Sequence, residues 1–277
     1  MDPSQTIKQG IMFKSTFYIM LLTLIITSGC NTNNSSSTET QSDTLAYKTE
    51  RYYIESDLKK DTADSINEKT YFEALYPHFE NDSINSYINK LITFNDIPDK
   101  KYHSIQEAGE GFIQGYEDYQ KLDYSSPWPW YSKIEANVVE NNKSYLGIEV
   151  NYEDFMGGAH GNHGTIFSNF DLHSKKPITI QDIVLDNKMD SLILIAEQLF
   201  KENEGIESQQ NSFPNYFFED GKFALNNNFL LQENSILFLY NVYEIKSYSE
   251  GITRLEIPYS KINNFLTPQA KDILGIK

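Results

Sequence analysis

The stretch Lys133–Tyr152 (KIEANVVENNKSYLGIEVNY) decides the fold class. Ile134, Ala136 and Val138 fall on alternate positions, and so do Leu146, Ile148, Val150 and Tyr152. A period of two sends successive side chains to opposite faces, so each run reads as a strand with one buried face. Asn141-Asn142 between them is turn chemistry, because Asn tolerates a left-handed backbone and bonds its own main chain. The two runs form an antiparallel hairpin, and the flanking sequence must extend the sheet and cover its apolar face.

Upstream, Tyr47–Leu58 mixes Tyr, Ile and charge in rough alternation and predicts a first strand. Thr70–Tyr76 predicts a second, stopped by Pro77. Asn81 and Asp82 suit an N-cap, and Ile84, Tyr87, Ile88, Leu91 and Ile92 recur at helical spacing. Ser104-Ile-Gln-Glu107 is a capping-box pattern opening a second helix with the stripe Ile105, Ala108, Phe112, Tyr116 and Tyr119. Gly109, Gly111 and Gly115 weaken that helix by up to ~1 kcal/mol each, so packing must hold it. Downstream, Thr165–Leu172 and Pro177–Ile180 continue the sheet. Met189, Leu192, Ile193, Ala196, Leu199 and Phe200 mark an amphipathic helix with Asp186 or Asn187 near its cap. Strands return at Phe229–Gln232, Ser235–Val242 and Arg254–Ile257, and a short helix, Tyr259–Leu266, ends before Pro268. The sum is an α+β fold: an antiparallel sheet packed with a few amphipathic helices.

The N-terminus follows different rules. Lys14 precedes an apolar run, Tyr18–Ile26, and then comes Thr27-Ser28-Gly29-Cys30. This is the layout of a signal peptide, residues 1–29, with a plausible start at Met12. The run is short of the roughly 20 residues that cross a bilayer. Cys30 is the only cysteine, so no disulfide or cysteine metal site forms within the chain. Its place after Ser-Gly is what lipid modification needs, although Thr27 stands where Leu is commoner. Several acyl chains on Cys30 give stable anchoring, so the expected location is the cell envelope, extracytoplasmic and lipid-anchored to a membrane. Asn31–Asp43 has no apolar residue and reads as a disordered tether, giving a segment 30–44 of lipidated cysteine and linker. Two α+β parts follow, 45–125 and 126–277.

Charge narrows the partners. From 23 basic and 39 acidic residues, removing Lys8, Lys14 and Asp2 with the leader leaves 21 and 38. Such an acidic domain excludes nucleic acid and disfavours anionic membrane surfaces, and it permits attraction to a basic protein.

Chemistry concentrates in Gly157-Gly-Ala-His-Gly-Asn-His-Gly164. A phosphate cradle would need a helix N-terminus after the glycines, but a strand pattern follows, and the spacing fits neither G-x-G-x-x-G nor a P-loop. A metal site could draw on His160, His163, His173 or Asp171. The plainer reading is a strand-to-strand loop whose glycines take positive φ and whose His bonds the backbone. No G-x-S-x-G elbow is present, and the carboxylates cannot be paired for glycosidase chemistry from sequence.

Tyr152–Val184 (YEDFMGGAHGNHGTIFSNFDLHSKKPITIQDIV) resembles the hallmark of a domain shared by the lysozyme-sensing anti-sigma factor RsiV and the N-terminal region of PdaC-type peptidoglycan deacetylases. A late block is similar as well: Phe229-Leu-Leu, Ile236-Leu-Phe-Leu-Tyr, Tyr243-Glu-Ile, Tyr248, Gly251 and Ile257-Pro-Tyr259. So are Tyr76-Pro77 and Ile84-Asn85. The resemblance spans roughly Tyr71–Leu266 and implies an α+β extracytoplasmic domain. The lipoprotein leader replaces the anti-sigma factor's membrane helix and sigma-binding segment, so sigma-factor control is not implied. The deacetylase motifs are absent: Asn169-Phe-Asp-Leu and His160-x₂-His163 are not the Thr-Phe-Asp-Asp and His-x₃-His of that catalytic domain.

The reading that follows is a binding module and not an enzyme, with no catalytic, metal or cofactor residues assigned. Its partners are the membrane, through the lipid on Cys30, and a lysozyme-like protein or peptidoglycan fragments. Exposed Trp, Tyr and Pro make low-entropy anchors. The candidate contacts are therefore Trp128, Trp130 and Tyr131 in one aromatic loop, His160 and Asn162 in the Gly/His segment, and Tyr248 in the loop 245–251. The alternative is a metal-assisted hydrolase of cell-wall polysaccharide centred on His160, Asp171 and His173.

Overall fold

The structure, a computed structural model, describes residues 44–58, 69–94, 102–122, 125, 128–210 and 212–276. The leader, Cys30 and most of the tether lie outside the described residues. The described residues form one compact unit. No described helix is long and apolar enough to cross a membrane.

The larger sheet has six strands in chain order: β1 (Tyr47–Glu55), β2 (Tyr71–Phe79), β3 (Tyr131–Asn141), β4 (Tyr145–Phe155), β5 (Asn162–Asp171) and β6 (Lys176–Pro177). The β3–β4 hairpin pairs Ile134 with Tyr152, Ala136 with Val150 and Val138 with Ile148. Its turn is closed by Asn142, whose side-chain oxygen accepts from the Ser144 and Tyr145 N–H groups. All neighbours are antiparallel except β2 and β3, which run parallel from Tyr71↔Tyr131 to Leu75↔Glu135. A parallel pair needs a long crossover. It is supplied by α1 (Asp82–Ile92) and α2 (Ile105–Tyr119).

Both helices start where their caps predict. Asn81 accepts from the Ser83 and Ile84 N–H groups, and Ser104 from that of Glu107. Glu107 in turn accepts from the His103 N–H. Ile84, Ile88 and Ile92 are completely enclosed, which contributes about 1.5–3 kcal/mol each. They pack with Phe72, Ala74, Ile134, Ile148 and Val150 into a core between the helices and one face of the sheet.

A smaller sheet, β7 (Phe229–Leu231), β8 (Ser235–Tyr240) and β9 (Thr253–Pro258), is antiparallel throughout. It packs with α3 (Ile180–Ile183), α4 (Met189–Glu204), α5 (Tyr259–Ile262) and α6 (Pro268–Leu274) around a second core. Phe200 of α4 stands in that core among Phe213, Tyr216, Phe218 and Phe223, with ring centroids 5.2–5.8 Å away.

Several boundaries differ from the sequence reading. β2 does not stop at Pro77 but runs to Phe79, because its pairing with β3 ends at Leu75 and Pro77 sits where that side of the strand is open. β5 begins at Asn162, so the last three of the eight residues of the Gly/His segment are strand and not loop. Pro177–Ile180 adds only one strand residue, Pro177, before the chain turns into α3, whose Thr179 and Asp182 form a capping box. Asp186 and Asn187 lie in a 3₁₀ turn ahead of α4 and do not cap it. The α-helix from Tyr259 ends at Ile262, with a 3₁₀ turn completing the span to Phe265. From Pro268 onward runs α6, unforeseen although Thr267 caps it through the Ala270 N–H and Pro268 starts it.

Candidate functional site

Helices cover one face of the large sheet; the other face is covered only in part. Thr165, Phe167 and Asn169 of β5 point to that second face, and there the small sheet docks. Asn169, 2% exposed, accepts from the Leu231 N–H at 2.9 Å and donates to the Phe229 carbonyl at 2.8 Å. Asn228 and Asn241 make comparable bonds to the backbone of Thr165 and Phe167. Three amides thus stand in for a β-ladder between the sheets. The face of β1–β4 nearer Tyr71, Tyr131 and Phe155 stays open.

Pairing register makes that open surface a grid. One row reads Glu55, Tyr71, Tyr131, Phe155; the next reads Tyr53, Glu73, Lys133, Glu153, His163. Tyr53, Tyr71, Tyr131 and Phe155 form a stacked series of rings. They line a groove of about 750 Å³ with Trp128, Pro129 and Trp130. The Tyr131 hydroxyl donates to Glu153 at 2.9 Å, and its pKa is pushed up to about 12 by burial and by that carboxylate. A second groove of about 620 Å³ adjoins the first along Lys133 and Glu153 and ends at His163, Gly251 and Ile252.

Two loops meet at that end. In residues 156–161, Gly157 and Gly158 take φ of +96° and +105°, backbone that side-chain-bearing residues rarely adopt. Gly164 has a different reason: a Cβ there would strike the Tyr152 hydroxyl at 2.4 Å. The His160 ring stacks on Tyr248 at 4.5 Å, and its Nδ1 lies 2.8 Å from the Gly161 carbonyl. The Tyr248 hydroxyl is 3.1 Å from His163 Nδ1. Tyr243 joins the cluster 5.4 Å from Tyr248, more than half exposed and with its backbone at φ +64°. For a residue of this bulk that conformation costs on the order of 1–3 kcal/mol and clusters at ligand sites. Ser247 and Glu250 brace the turn carrying Tyr248 through a reciprocal capping box.

The sequence-predicted residues fall into two groups. Trp128 and Tyr131 line the ring groove, and Trp128 is 53% exposed. Trp130 borders the same groove but packs its ring on Phe112, Tyr116 and Tyr119 of α2. His160 and Tyr248 meet at the loop cluster, and Asn162 donates to Asp154 at 3.3 Å beside them. His160, Asp171 and His173 do not converge, since β5 separates His160 from the other two. Asp171 accepts from the His173 and Ser174 N–H groups and the Ser174 hydroxyl, closing the β5–β6 turn. Among the described residues no group of three His, Cys, Asp or Glu side chains is placed to hold a metal ion. Sequence reading missed Tyr53, Tyr71, Lys133, Phe155 and Tyr243. For Tyr53, Tyr71 and Phe155 the one available signal was an aromatic residue at a strand position opposite in parity to the core residues.

Two family models match the chain. Residues 63–163 match the family described as deacetylase PdaC, and residues 181–260 match the protein family of unknown function DUF3298. No curated protein matches. A DUF3298 family member from Bacteroides fragilis has a similar solved structure, with 23% identity and a TM-score of 0.65, covering 85% of this chain and 99% of that one. A DUF3298 family protein from Pseudomonas aeruginosa is similar at 19% identity and a TM-score of 0.63, covering 82% of this chain and 97% of its own. These matches bear out the family resemblance and the α+β fold.

Proposed function

Since this chain joins a PdaC region to a DUF3298 region in one fold, we propose that it is a binding module of the cell envelope, held there by lipid on Cys30, that captures a lysozyme-like protein. The observation that carries the reading is the stacked His160–Tyr248 pair with Tyr243 beside it, two loops fixed into one exposed aromatic knob. Rigid, amphipathic rings of this kind anchor protein interfaces at low entropic cost. Met156, on the first loop, is 49% exposed. A net charge of −16 attracts basic proteins such as lysozymes. The hydrolase alternative loses its proposed centre, because His160 stands at the far end of β5 from Asp171 and His173, and Asp171 is occupied by its turn.

Biolayer interferometry with the immobilised protein and a c-type lysozyme tests the reading. Saturable binding is expected, weakened about tenfold or more by Tyr243→Ala with Tyr248→Ala. Absence of saturable binding, or an unchanged affinity in the double variant, sinks it. Capture of peptidoglycan fragments is the second reading, favoured by the ring-lined groove at the other end of the open face.

A further inference from the structure

The second groove, which ends beside the His160–Tyr248 knob, has amide and hydroxyl groups that already satisfy one another. The Thr165 hydroxyl donates to Asn151 at 2.7 Å, and the Asn151 amide donates to Glu149 at 2.8 Å. Leu75 and Ile252 add apolar surface, and Ile252 is 38% exposed. What stays open is acceptor capacity on the carboxylates of the lining, so a ligand seated there must bring donors.

The charges of that lining do not cancel. Glu73 pairs with Arg51 at 2.6 Å. Lys133 stands in register between Glu73 and Glu153, and its ammonium lies 6.0 and 5.7 Å from the Tyr71 and Tyr131 rings, toward the other groove. Glu135 is left over: it is exposed and forms no ion pair among the described residues. It stands opposite Asn151 and so diagonal to Glu153, a spacing of roughly 7–8 Å across an antiparallel pair. One cationic head can lie between the two carboxylates.

A bare metal ion would use none of the apolar surface, and no group of three His, Cys, Asp or Glu side chains among the described residues is placed to hold one. A basic side chain uses both parts of the groove. Its methylene stem lies on Leu75 and Ile252, and its head donates to Glu135 and Glu153. The knob puts such a side chain within reach: His163 lines the groove, and its Nδ1 is 3.1 Å from the Tyr248 hydroxyl.

We propose that the second groove receives a lysine or arginine side chain of the protein captured at the knob. The assignment rests on the protein-capture reading and gives it a specific contact: net charge draws the partner in, and Glu135 holds it once docked.

Interferometry with the immobilised protein and a c-type lysozyme separates those two effects. A docked, desolvated ion pair slows dissociation, whereas charge at a distance acts on association. Glu135→Gln changes an exposed side chain outside either core, and it is expected to weaken binding about tenfold, mostly through faster dissociation. Glu110→Gln makes the same change of charge on α2, which covers the opposite face of the sheet, and should alter dissociation by less than about twofold. The assignment is overturned if Glu135→Gln dissociates no faster than the unmodified chain, or if Glu110→Gln speeds dissociation equally. Either result with lysozyme still captured sinks the groove assignment alone. Absence of saturable lysozyme binding to the unmodified chain sinks the capture reading, and the groove assignment with it.

Discussion

Asn169 and Asp171 sit two residues apart and do unlike work that their shared motif, Asn169-Phe-Asp-Leu, conceals. Asn169 is a bridge between sheets: its amide satisfies one donor and one acceptor of β7 in a site closed to water. Asn169→Ala strands both the Phe229 carbonyl and the Leu231 N–H, each costing about 1–3 kcal/mol when buried unpaired. Urea unfolding should therefore show a loss of about 2–4 kcal/mol; a change under 1 kcal/mol, on the same scale, would remove the bridge from the account. Asp171 is a turn cap. Burial raises its pKa, but the N–H groups of His173 and Ser174 and the Ser174 hydroxyl outweigh that and leave it below the ordinary 3.8. A depressed carboxyl pKa stabilises the fold above its unfolded value and loses that contribution as pH falls through the folded one. Melting temperature should thus fall below pH 3.8 more steeply in the unmodified protein than in Asp171→Asn, which has no carboxyl to protonate. Parallel acid profiles would remove this role. The Gly/His loop and the late Tyr block were both visible in the sequence, but their contact was not. His160 and Tyr248 meet across 88 positions only because the amides of Asn169, Asn228 and Asn241 dock one sheet on the other.

α2 shows what an element's sequence can and cannot declare. Its start, its stripe and its three glycines are plain, and the glycines look equally unfavourable to a helix. Packing separates them. A Cβ on Gly109 would meet Tyr52 at 2.6 Å and Phe72 at 2.9 Å, so its absence lets the helix lie close on the sheet. Gly115 meets nothing within 4 Å. Gly115→Ala should stabilise by up to about 1 kcal/mol through helix propensity alone. Gly109→Ala should destabilise by about 1–3 kcal/mol, because overpacking exceeds the propensity gain. Thermal melts of the pair check this, and an equal response at both sites would remove the close-approach argument. The strands were legible for a similar reason and incomplete for a similar reason. Alternation in β3 and β4 identified the hairpin, because local pairing leaves its register in the sequence. The parallel β2–β3 pair joins residues 60 apart across two helices, so nothing local announced that Tyr71 stands beside Tyr131. The ring groove depends on that register and was therefore hidden: Tyr53 and Tyr71 fell within strands read from the sequence, but Tyr131, the first residue of β3, read as part of a loop.

At the scale of the molecule, acidity and local neutrality coexist, and they assign unequal salt responses to the two ends of the open face. The chain carries a net charge of −16, while the ring groove balances Arg51, Lys69 and Lys133 against Glu55, Glu73 and Glu153. Long-range attraction acts on encounter more than on the bound state, and it fades as the screening length shrinks from about 10 Å at 0.1 M salt to about 3 Å at 1 M. A basic protein captured at the His160–Tyr248 knob should accordingly lose association rate by about tenfold or more between low and high salt, with a smaller change in dissociation rate. Under the peptidoglycan reading, a neutral glycan on the ring groove draws on stacking and short hydrogen bonds, and its affinity should change by less than about twofold over the same range. Interferometry for the protein ligand and calorimetry for the glycan, run on one preparation across a salt series, compare the two directly. A salt-insensitive lysozyme association rate would remove the role given to net charge. A strongly salt-dependent glycan affinity would mean that the groove's charges are not balanced as their pairing indicates.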